Sequence, residues 1–476
     1  VDGTNERFDF TEPLPSIDAL GRVHLIAIGG SGMSAVARLL LARGLTVSGS
    51  DANDSAMLRA LESEGARVWV GHDADHVADA DTIVISSAIR EDNVELARAR
   101  SQGLRVLHRA QALAASMEGQ RRLAVAGANG KTTTTSMLTA ALDAAGADPS
   151  FASGGELADR GTNAHWSAGS PFVVEADESD GSFLSYRPDV AVVTNVQPDH
   201  LDFYGTFARV QEAYAAFVRS VPAGGLVVAC ADDEGSARLA RDIARERTVL
   251  TYGLSETADL QVLETVLTGS ASRSVLRDRH GVEHVLTLST PGHHNVLNAC
   301  AAYLAAVEGA GADPSRVLGG LASFGGARRR FEVHGEPDGV TVADDYAHNP
   351  GKVRAVVATA AEIAHARGGR LLAIFQPHLY SRTRDFAEGF AQGLAPADDV
   401  ILLDIYGARE QPMEGITSEL IREHLLAAGT DAVVVDKDSA VQRVVEIARP
   451  GDLVLTIGAG DVTALAPRLV AGLEGR

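Results

Sequence analysis

The stretch AVAGANGKTTTTSML, residues 124–138, runs an apolar segment into a glycine-bounded turn and then into a threonine-rich segment with helical composition. A strand that ends in glycines, followed by GK[ST] at the start of a helix, is the pattern by which backbone N–H groups cradle phosphates. The match is incomplete, because the common form GxxxxGK[ST] has its first glycine where this chain has Val125. Alone, the stretch also admits an ordinary turn before a helix. Composition favours the phosphate reading: of 42 basic residues only three are lysines, Lys131, Lys352 and Lys437. A compact ammonium on a flexible stem can reach between β- and γ-phosphates as a point charge, whereas arginine is a planar fork. The candidate nucleotide loop is therefore Gly127, Ala128, Asn129, Gly130, Lys131, Thr132 and Thr133, with the Thr132 hydroxyl offered to Mg²⁺.

Outward from this loop the chain divides into three α/β segments. After a Pro-containing tail (1–20), VHLIAIGGSGMSAVARLLLARGLTVSGSD (23–51) reads as strand, glycine turn, helix, strand, and similar units continue to about residue 115. This is a small Rossmann-like domain, 21–115. A central ATP-binding domain, 116–330, alternates strands such as FVVEADES and VAVVTNV with helices and ends in a β-rich meander. A third domain, 331–476, repeats strand and helix through LLAIFQPH, DVILLDIY and DLVLTIGAG and is again Rossmann-like.

Each segment carries polar residues where strands end, which is where open α/β sheets collect ligands. In GGSGMSA (29–35), Gly30, Gly32 and Ala35 satisfy GxGxx[G/A], with Asp51 closing the next strand. A dinucleotide, another diphosphate such as a UDP-sugar, or a tight structural turn all fit this loop. EADESD (175–180) and NVQPDHLD (195–202) follow strands of the central sheet, and Glu175 and His200 are the metal candidates. An acidic surface loop and a helix-capping histidine are the alternatives. DDYAHNP (344–350) and QPHLYSRTR (376–384) offer Arg, His and Tyr suited to a carboxylate or developing oxyanion. GARRRFE (326–332) is either a solvated basic turn or an arginine aimed at a γ-phosphate.

A net charge of −21 argues against broad nucleic-acid and anionic-membrane surfaces. No run reaches the length of a membrane helix and the start has no secretory pattern, so membrane insertion is not expected and a cytoplasmic location is. Cys230 and Cys300 lie in apolar contexts and read as buried small hydrophobes.

Taken together, IGGSGMS, SSAI, GKTTTTSML, EADESDGSF, TNVQPDHLDFYG, GHHNVLNA, RRRFE, DDYAH, FQPHLYSRT and GAGDV, in this order, resemble the ATP-dependent Mur ligases from residue 22 to about 470. The resemblance implies peptidoglycan-precursor synthesis by a UDP-sugar domain, a central ATPase domain and a third domain that closes over both. It implies transfer of the γ-phosphate to the lactyl carboxylate of UDP-N-acetylmuramate, then attack by an amine, with Mg²⁺ or Mn²⁺ as cofactor and a monomer or weak homodimer as the assembly. FYGTFARVQEAYAAFVRS contains no lysine that could be carbamylated, and FQPHLYSRT has the form found in the branch that adds L-alanine. By motif, Lys131 and Thr132 hold ATP and metal, with Glu175 and His200 completing the metal sites. Asn295 and Asn298 contact adenine, Arg330 the γ-phosphate, and Asp345 and His348 the nucleoside. Gly30, Ser31, Gly32, Met33, Ser34, Asp51, His72, Ser86, Ser87 and Asn163 line the UDP-sugar site. Tyr346, His378 and Arg382 form the amino-acid pocket, and Lys131, His200, Arg330, His378 and Arg382 are the implied catalytic set.

Three positions depart from that branch, which usually reads GTHGKT and AHHP: Ala128, Asn129 and Asn349. Ala128 lacks a hydroxyl that could support the loop or a phosphate, so Ala128→Thr is expected to lower the KM for ATP modestly; an unchanged KM dismisses the idea. Three rival readings remain: a sibling ligase that attaches a recycled peptide or another amino acid, a nicotinamide oxidoreductase built on the first domain, and a nucleotide-gated binding protein that releases no phosphate.

Overall fold

In a computed structural model the chain is described over residues 4–5, 7–157, 160–268, 271–326, 329–408 and 410–476. Of the GARRRFE segment, Ala327 and Arg328 lie outside the described residues. Three sheets carry the fold, as the alternating strands and helices predict. The first has five parallel strands in the order Arg67–Val70, Val47–Asp51, Val23–Ile26, Thr82–Ile85, Arg105–His108. The order reverses between Val23–Ile26 and Thr82–Ile85, so the glycine loop after Ile26 sits at the switch point.

The segment 8–20, expected as a tail, packs on this first sheet. Phe10, Ile17 and Leu20 are buried, and Phe8 and Phe10 sit against the His108 ring at 5.3 and 5.2 Å between centroids. Each such side chain contributes about 2 kcal/mol of apolar burial.

The second sheet has ten strands, and its centre is parallel: Pro171–Glu175, Arg121–Ala126, Val190–Val193, Leu226–Cys230 and Thr248–Gly253 in that order. Val190–Val193 is buried on both faces, as its continuous apolar run requires of a covered parallel strand. The meander expected beyond residue 260 is formed by Leu260–Thr268, Ala271–Asp278 and Glu283–Leu288. Register decides where the chemistry lies. Glu175 is opposite Val125 and Val193 opposite Ala126, so the GKT loop, the EADESD loop and the TNVQPDH loop leave the sheet side by side.

The third sheet runs Glu332–Gly335, Thr341–Asp345, Leu453–Ile457, Leu371–Phe375, Asp399–Leu402, Ala432–Val434, parallel except for its first strand. Asp345 and Phe375 both pair with Ile457, which brings DDYAHNP and QPHLYSRTR to one end of that sheet. The five-stranded sheet and the parallel part of the ten-stranded sheet belong to one compact unit, and the six-stranded sheet to a second. Both cysteines are buried and unbridged, as expected. Among the described residues no helix is long and apolar enough to cross a membrane.

Candidate active site

The phosphate-type loop leaves Arg121–Ala126 and enters the helix Lys131–Ala144. Gly127 and Gly130 have φ of 139° and 85°, in the region that L side chains avoid. A Cβ on Gly127 would lie 2.0 Å from Thr194 Oγ1, and one on Gly130 2.5 Å from Asn298 Oδ1. Gly130→Ala is therefore expected to cost more than about 1 kcal/mol in stability and to weaken ATP binding; thermal unfolding and nucleotide titration check both. The four threonines that open the helix are buried, and further along it Ser136 and Thr139 return their hydroxyls to the carbonyls of Thr132 and Thr135.

The Asn129 departure acquires a physical role here. Its N–H donates to Asn195 Oδ1 (2.9 Å), its carbonyl accepts from Thr194 Oγ1 (2.6 Å) and Asn195 Nδ2 (3.0 Å), and its own Nδ2 donates to Gln197 Oε1 (3.0 Å). The loop is thus bolted to the segment that carries His200. Ala128 is buried at 3% exposure.

Lys131 does not point into open solvent. Its Nζ donates to both oxygens of Glu178 (2.8 and 3.0 Å) and to the Gly127 carbonyl (2.7 Å). Burial opposes its charge, but Glu178, Asp177 and Glu175 outweigh it and hold the ammonium above the usual lysine range. Asp177 in turn is held low, against its burial, by Lys131 and Arg109. Sequence reasoning took only Glu175 from EADESD; the run of four acids was the signal, but it could not say which one faces the lysine.

Thr132 Oγ1 donates to Glu175 Oε1 at 3.0 Å, and the other carboxylate oxygen accepts from Gly154 N (2.7 Å). Glu175 is thus no solvated surface acid. Two hard oxygens 3.0 Å apart match neighbouring ligands on an octahedral cation bound at about 2.1 Å, so this pair fits Mg²⁺. His200 stands apart from that pair: its Nε2 lies 3.9 Å from Glu178 Oε1, and its backbone is left-handed at φ 53°. It precedes the short helix Leu201–Tyr204, but its side chain does not cap it. Asn298 borders Gly130, whereas Asn295 donates to the Pro291 carbonyl at 2.7 Å.

At the other loop, the helix Ser31–Ala42 begins at Gly30 after Ala27, held at φ 61°. Gly30 and Ser31 are exposed; Met33 and Ser34 are buried, and Ser34 Oγ donates to the Ser31 carbonyl. Only the backbone of Met33 and Ser34 can serve a ligand there. Gly32 faces Arg109, where a Cβ would lie 2.8 Å from Nη1. Asp51 accepts from Gly29 N (3.0 Å) and Asn53 N (3.2 Å) and so buttresses the loop. Asn163, on the strand Thr162–His165 of the second sheet, donates to the Ser31 carbonyl (2.7 Å) and accepts from Arg38. Ser87 donates to Asp180 (2.6 Å) and meets His108, while Ser86 closes a turn through its carbonyl to Ile89 N. His72 meets Ser50 and the buried Glu95, a residue the sequence reading did not single out.

The second unit holds the third cluster. Arg329 and Phe331 are both left-handed (φ 58° and 50°), and they flank Arg330. Arg329 is anchored on Asp344 and the Gly458 carbonyl; Asp345 accepts from Phe331 N (2.9 Å) and Ala347 N (2.8 Å). Asp345 is thereby committed first to shaping the turn that presents Arg330. The guanidinium groups of Arg329 and Arg330 both lie over the Tyr346 ring, 4.8 and 5.1 Å from its centroid. Beside it, His348 Nδ1 donates to the Tyr346 carbonyl (2.9 Å). His378 stacks on Tyr406 at 5.9 Å and 17°, and Arg382 Nη1 is 3.5 Å from His378 Nδ1. Leu379, at φ 71°, turns the chain sharply into the helix Tyr380–Leu394 and so sets His378 at its start. Asn349 caps the helix Pro350–Ala366 by accepting from Lys352 N at 2.9 Å, a task asparagine performs well.

A phosphate-type loop with a paired lysine, a hard-oxygen pair beside it, a second anion-type loop on a neighbouring sheet and an Arg-His-Tyr cluster define a nucleotide-using α/β enzyme. Three domain families match along the chain: the Mur ligase family catalytic domain at residues 22–121, the Mur ligase middle domain at 125–306, and the Mur ligase glutamate ligase domain at 329–460. The chain belongs to the Mur ligase family. A UDP-N-acetylmuramate–L-alanine ligase from Kineococcus radiotolerans is 53% identical, covering 95% of this chain and 96% of the relative. The crystal structure of the UDP-N-acetylmuramate–alanine ligase of Thermotoga maritima matches with a TM-score of 0.78 and 28% identity, covering 95% of this chain and 99% of that one. A murein peptide ligase from Psychrobacter arcticus matches at 0.67 and 25%, covering 96% and 99%.

Proposed function

We propose that the chain is an ATP-dependent amide-forming ligase that joins L-alanine to the lactyl carboxylate of UDP-N-acetylmuramate in peptidoglycan-precursor synthesis. The observation that carries this reading is the 53% identity to a ligase of that name over 95% of the chain. The higher likeness to the alanine ligase of Thermotoga maritima than to the murein peptide ligase supports L-alanine over a recycled peptide. The nicotinamide reading leaves the GKT loop, its Thr132–Glu175 oxygen pair and the Arg330 segment without a role.

In this reading the carboxylate oxygen attacks the γ-phosphorus of ATP and ADP leaves, giving an acyl phosphate. The amine of L-alanine then attacks the carbonyl carbon, the amide bond forms, and inorganic phosphate departs with one former carboxylate oxygen. Lys131 and the amides of residues 127–132 hold the β- and γ-phosphates, and Thr132 and Glu175 hold Mg²⁺. When bound, the cation offsets charge gathering on the transferred phosphoryl group. Asn298 and Asn295 are assigned to adenine, Arg330 to the γ-phosphate, and His348 to the nucleoside; Tyr346, His378 and Arg382 receive the amino acid, Arg382 as the fork for its carboxylate. His200, whose Nε2 lies 3.9 Å from Glu178 Oε1, is assigned to the metal site and to the catalytic set. Gly30 to Ser34 and Asn163 hold the diphosphate end of the sugar nucleotide, with His72, Ser86 and Ser87 around the remainder. The domain limits 21–115, 116–330 and 331–476 remain part of this proposal, as does a monomer or weak homodimer.

Labelling the lactyl carboxylate with ¹⁸O tests the route. One labelled oxygen is expected in each released phosphate; unlabelled phosphate excludes the acyl-phosphate step.

A further inference from the structure

We propose that Glu95 is a positioning residue: it fixes the tautomer of His72 so that the ring's Nε2 accepts a hydrogen bond from the imide N–H of a uracil base. The inference rests on the UDP-sugar reading above and deepens it. Glu95 belongs to the helix Val94–Ser101, whose sequence VELARARS reads as a solvated surface helix, yet its side chain is fully buried. A buried carboxylate needs partners, and five groups converge on this one. Ser50 Oγ donates at 2.6 Å, His76 Nδ1 lies at 2.8 Å, His72 Nδ1 at 3.2 Å, Asp73 N at 3.4 Å and His24 Nε2 at 3.6 Å.

The three histidines are not equivalent. His24 is fully buried, and His76 stacks on Trp69 with centroids 4.5 Å apart. His72 retains the largest side-chain exposure of the three, 24%, just past the end of the strand Arg67–Val70.

The proton positions follow from the donor inventory. Burial works against the charge of Glu95, but the neighbouring His24 ring and the hydrogen bonds with Ser50 and His76 overcome it and hold the carboxyl at about 2. The carboxylate therefore only accepts. Ser50 spends its single proton on Glu95, so at 2.9 Å it can only accept from His72. His72 Nδ1 must carry a proton, and in the neutral ring Nε2 is left with a lone pair.

Topology puts that lone pair on the nucleoside side. A nucleotide whose diphosphate rests on the loop after Val23–Ile26 lays its nucleoside over the ends of the strands beyond it. Those strands are Val47–Asp51 and Arg67–Val70, and Gly71 N, donating to the Asp51 carbonyl at 2.7 Å, ties the His72 turn to them. Uracil presents N3–H, which complements an acceptor. Cytosine presents a lone pair at the same atom, which does not.

Calorimetric titration with UDP and CDP tests this on the full chain. The wild type should bind UDP at least about tenfold more tightly than CDP, the worth of one well-placed hydrogen bond against an unpaired acceptor. In Glu95→Gln the amide N–H can donate to His72 Nδ1 and move the ring proton to Nε2. UDP should then bind about tenfold more weakly while the UDP-to-CDP preference falls to within about twofold. In a His72→Ala background, Glu95→Gln should change UDP affinity by less than about twofold. Equal weakening of UDP and CDP by Glu95→Gln, or additive effects of the two substitutions, overturns the proposal. Should Glu95→Gln fail to fold, ¹⁵N spectra of the wild-type imidazoles decide it, with His72 assigned by its loss in His72→Ala: a protonated Nδ1 is required, and a neutral ring protonated on Nε2 overturns it. A wild type that binds neither UDP nor UDP-N-acetylmuramate overturns the sugar-nucleotide reading and this proposal with it; a wild type that binds UDP but keeps its selectivity in Glu95→Gln overturns only the tautomer role.

Discussion

Replacing Lys131 with methionine is expected to reduce ATP-dependent phosphate release by about a thousandfold or more while also destabilising the fold. The first effect follows from the task assigned to the ammonium: phosphoryl transfer is catalysed almost entirely by positioning and charge, and this is the cation built into the loop. The second follows from geometry. Glu178 is 2% exposed and both its oxygens accept from Lys131 Nζ at 2.8 and 3.0 Å. Methionine leaves that carboxylate buried without its cation, at a cost of about 3 to 5 kcal/mol. The two effects separate in Lys131→Met/Glu178→Gln, which should recover most of the stability and none of the activity. Denaturant melts of the three proteins beside their phosphate-release rates check this. Recovery of activity in the double variant would show that the lysine serves the fold alone.

Glu175→Ala carries the second large effect, expected at about a hundredfold to a thousandfold in kcat, with the Mg²⁺ concentration needed for half-maximal rate raised more than about tenfold. The carboxylate is shared between Thr132 Oγ1 and Gly154 N, so alanine removes half of the oxygen pair and the tie that holds it. Glu175→Gln keeps one oxygen and should fall between. Rates measured across a Mg²⁺ titration separate this from a folding defect, because a misfolded fraction lowers the maximum without moving the midpoint. An unmoved midpoint contradicts the metal role.

Much of this architecture was legible because parallel strands buried on both faces must be written as apolar runs, and because the turns that follow them need glycine or polar residues. VAVV and LLAIF announced their strands, and GANGKT, EADESD and QPHLYSRT announced the ends where ligands collect. What could not be read was which polar group meets which. Glu175, Asp177, Glu178 and Asp180 are indistinguishable in sequence; strand register and the loop path bring Glu178 to Lys131 and Glu175 to Thr132. Asp51 and Asp345, assigned to the sugar nucleotide and the nucleoside by resemblance, also take up backbone N–H groups of tight turns, a task only the turn geometry reveals. Phe8 and Phe10 sit in a polar segment that read as a tail, and their burial depends on a surface contributed by His108, about a hundred residues later. Of the departures from the family pattern, Asn349 is explained by its cap of a helix N-terminus, and the Asn129 side chain makes one bond of its own, from Nδ2 to Gln197.

The measurement that bears most directly on the central claim is phosphate release with UDP-N-acetylmuramate and ATP, using L-alanine, other amino acids and a peptide in turn as acceptor. The account predicts release that requires all three substrates, is fastest with L-alanine and matches the amide product one for one. Release with a tripeptide but not with L-alanine, or ATP binding with no release for any acceptor, would contradict it.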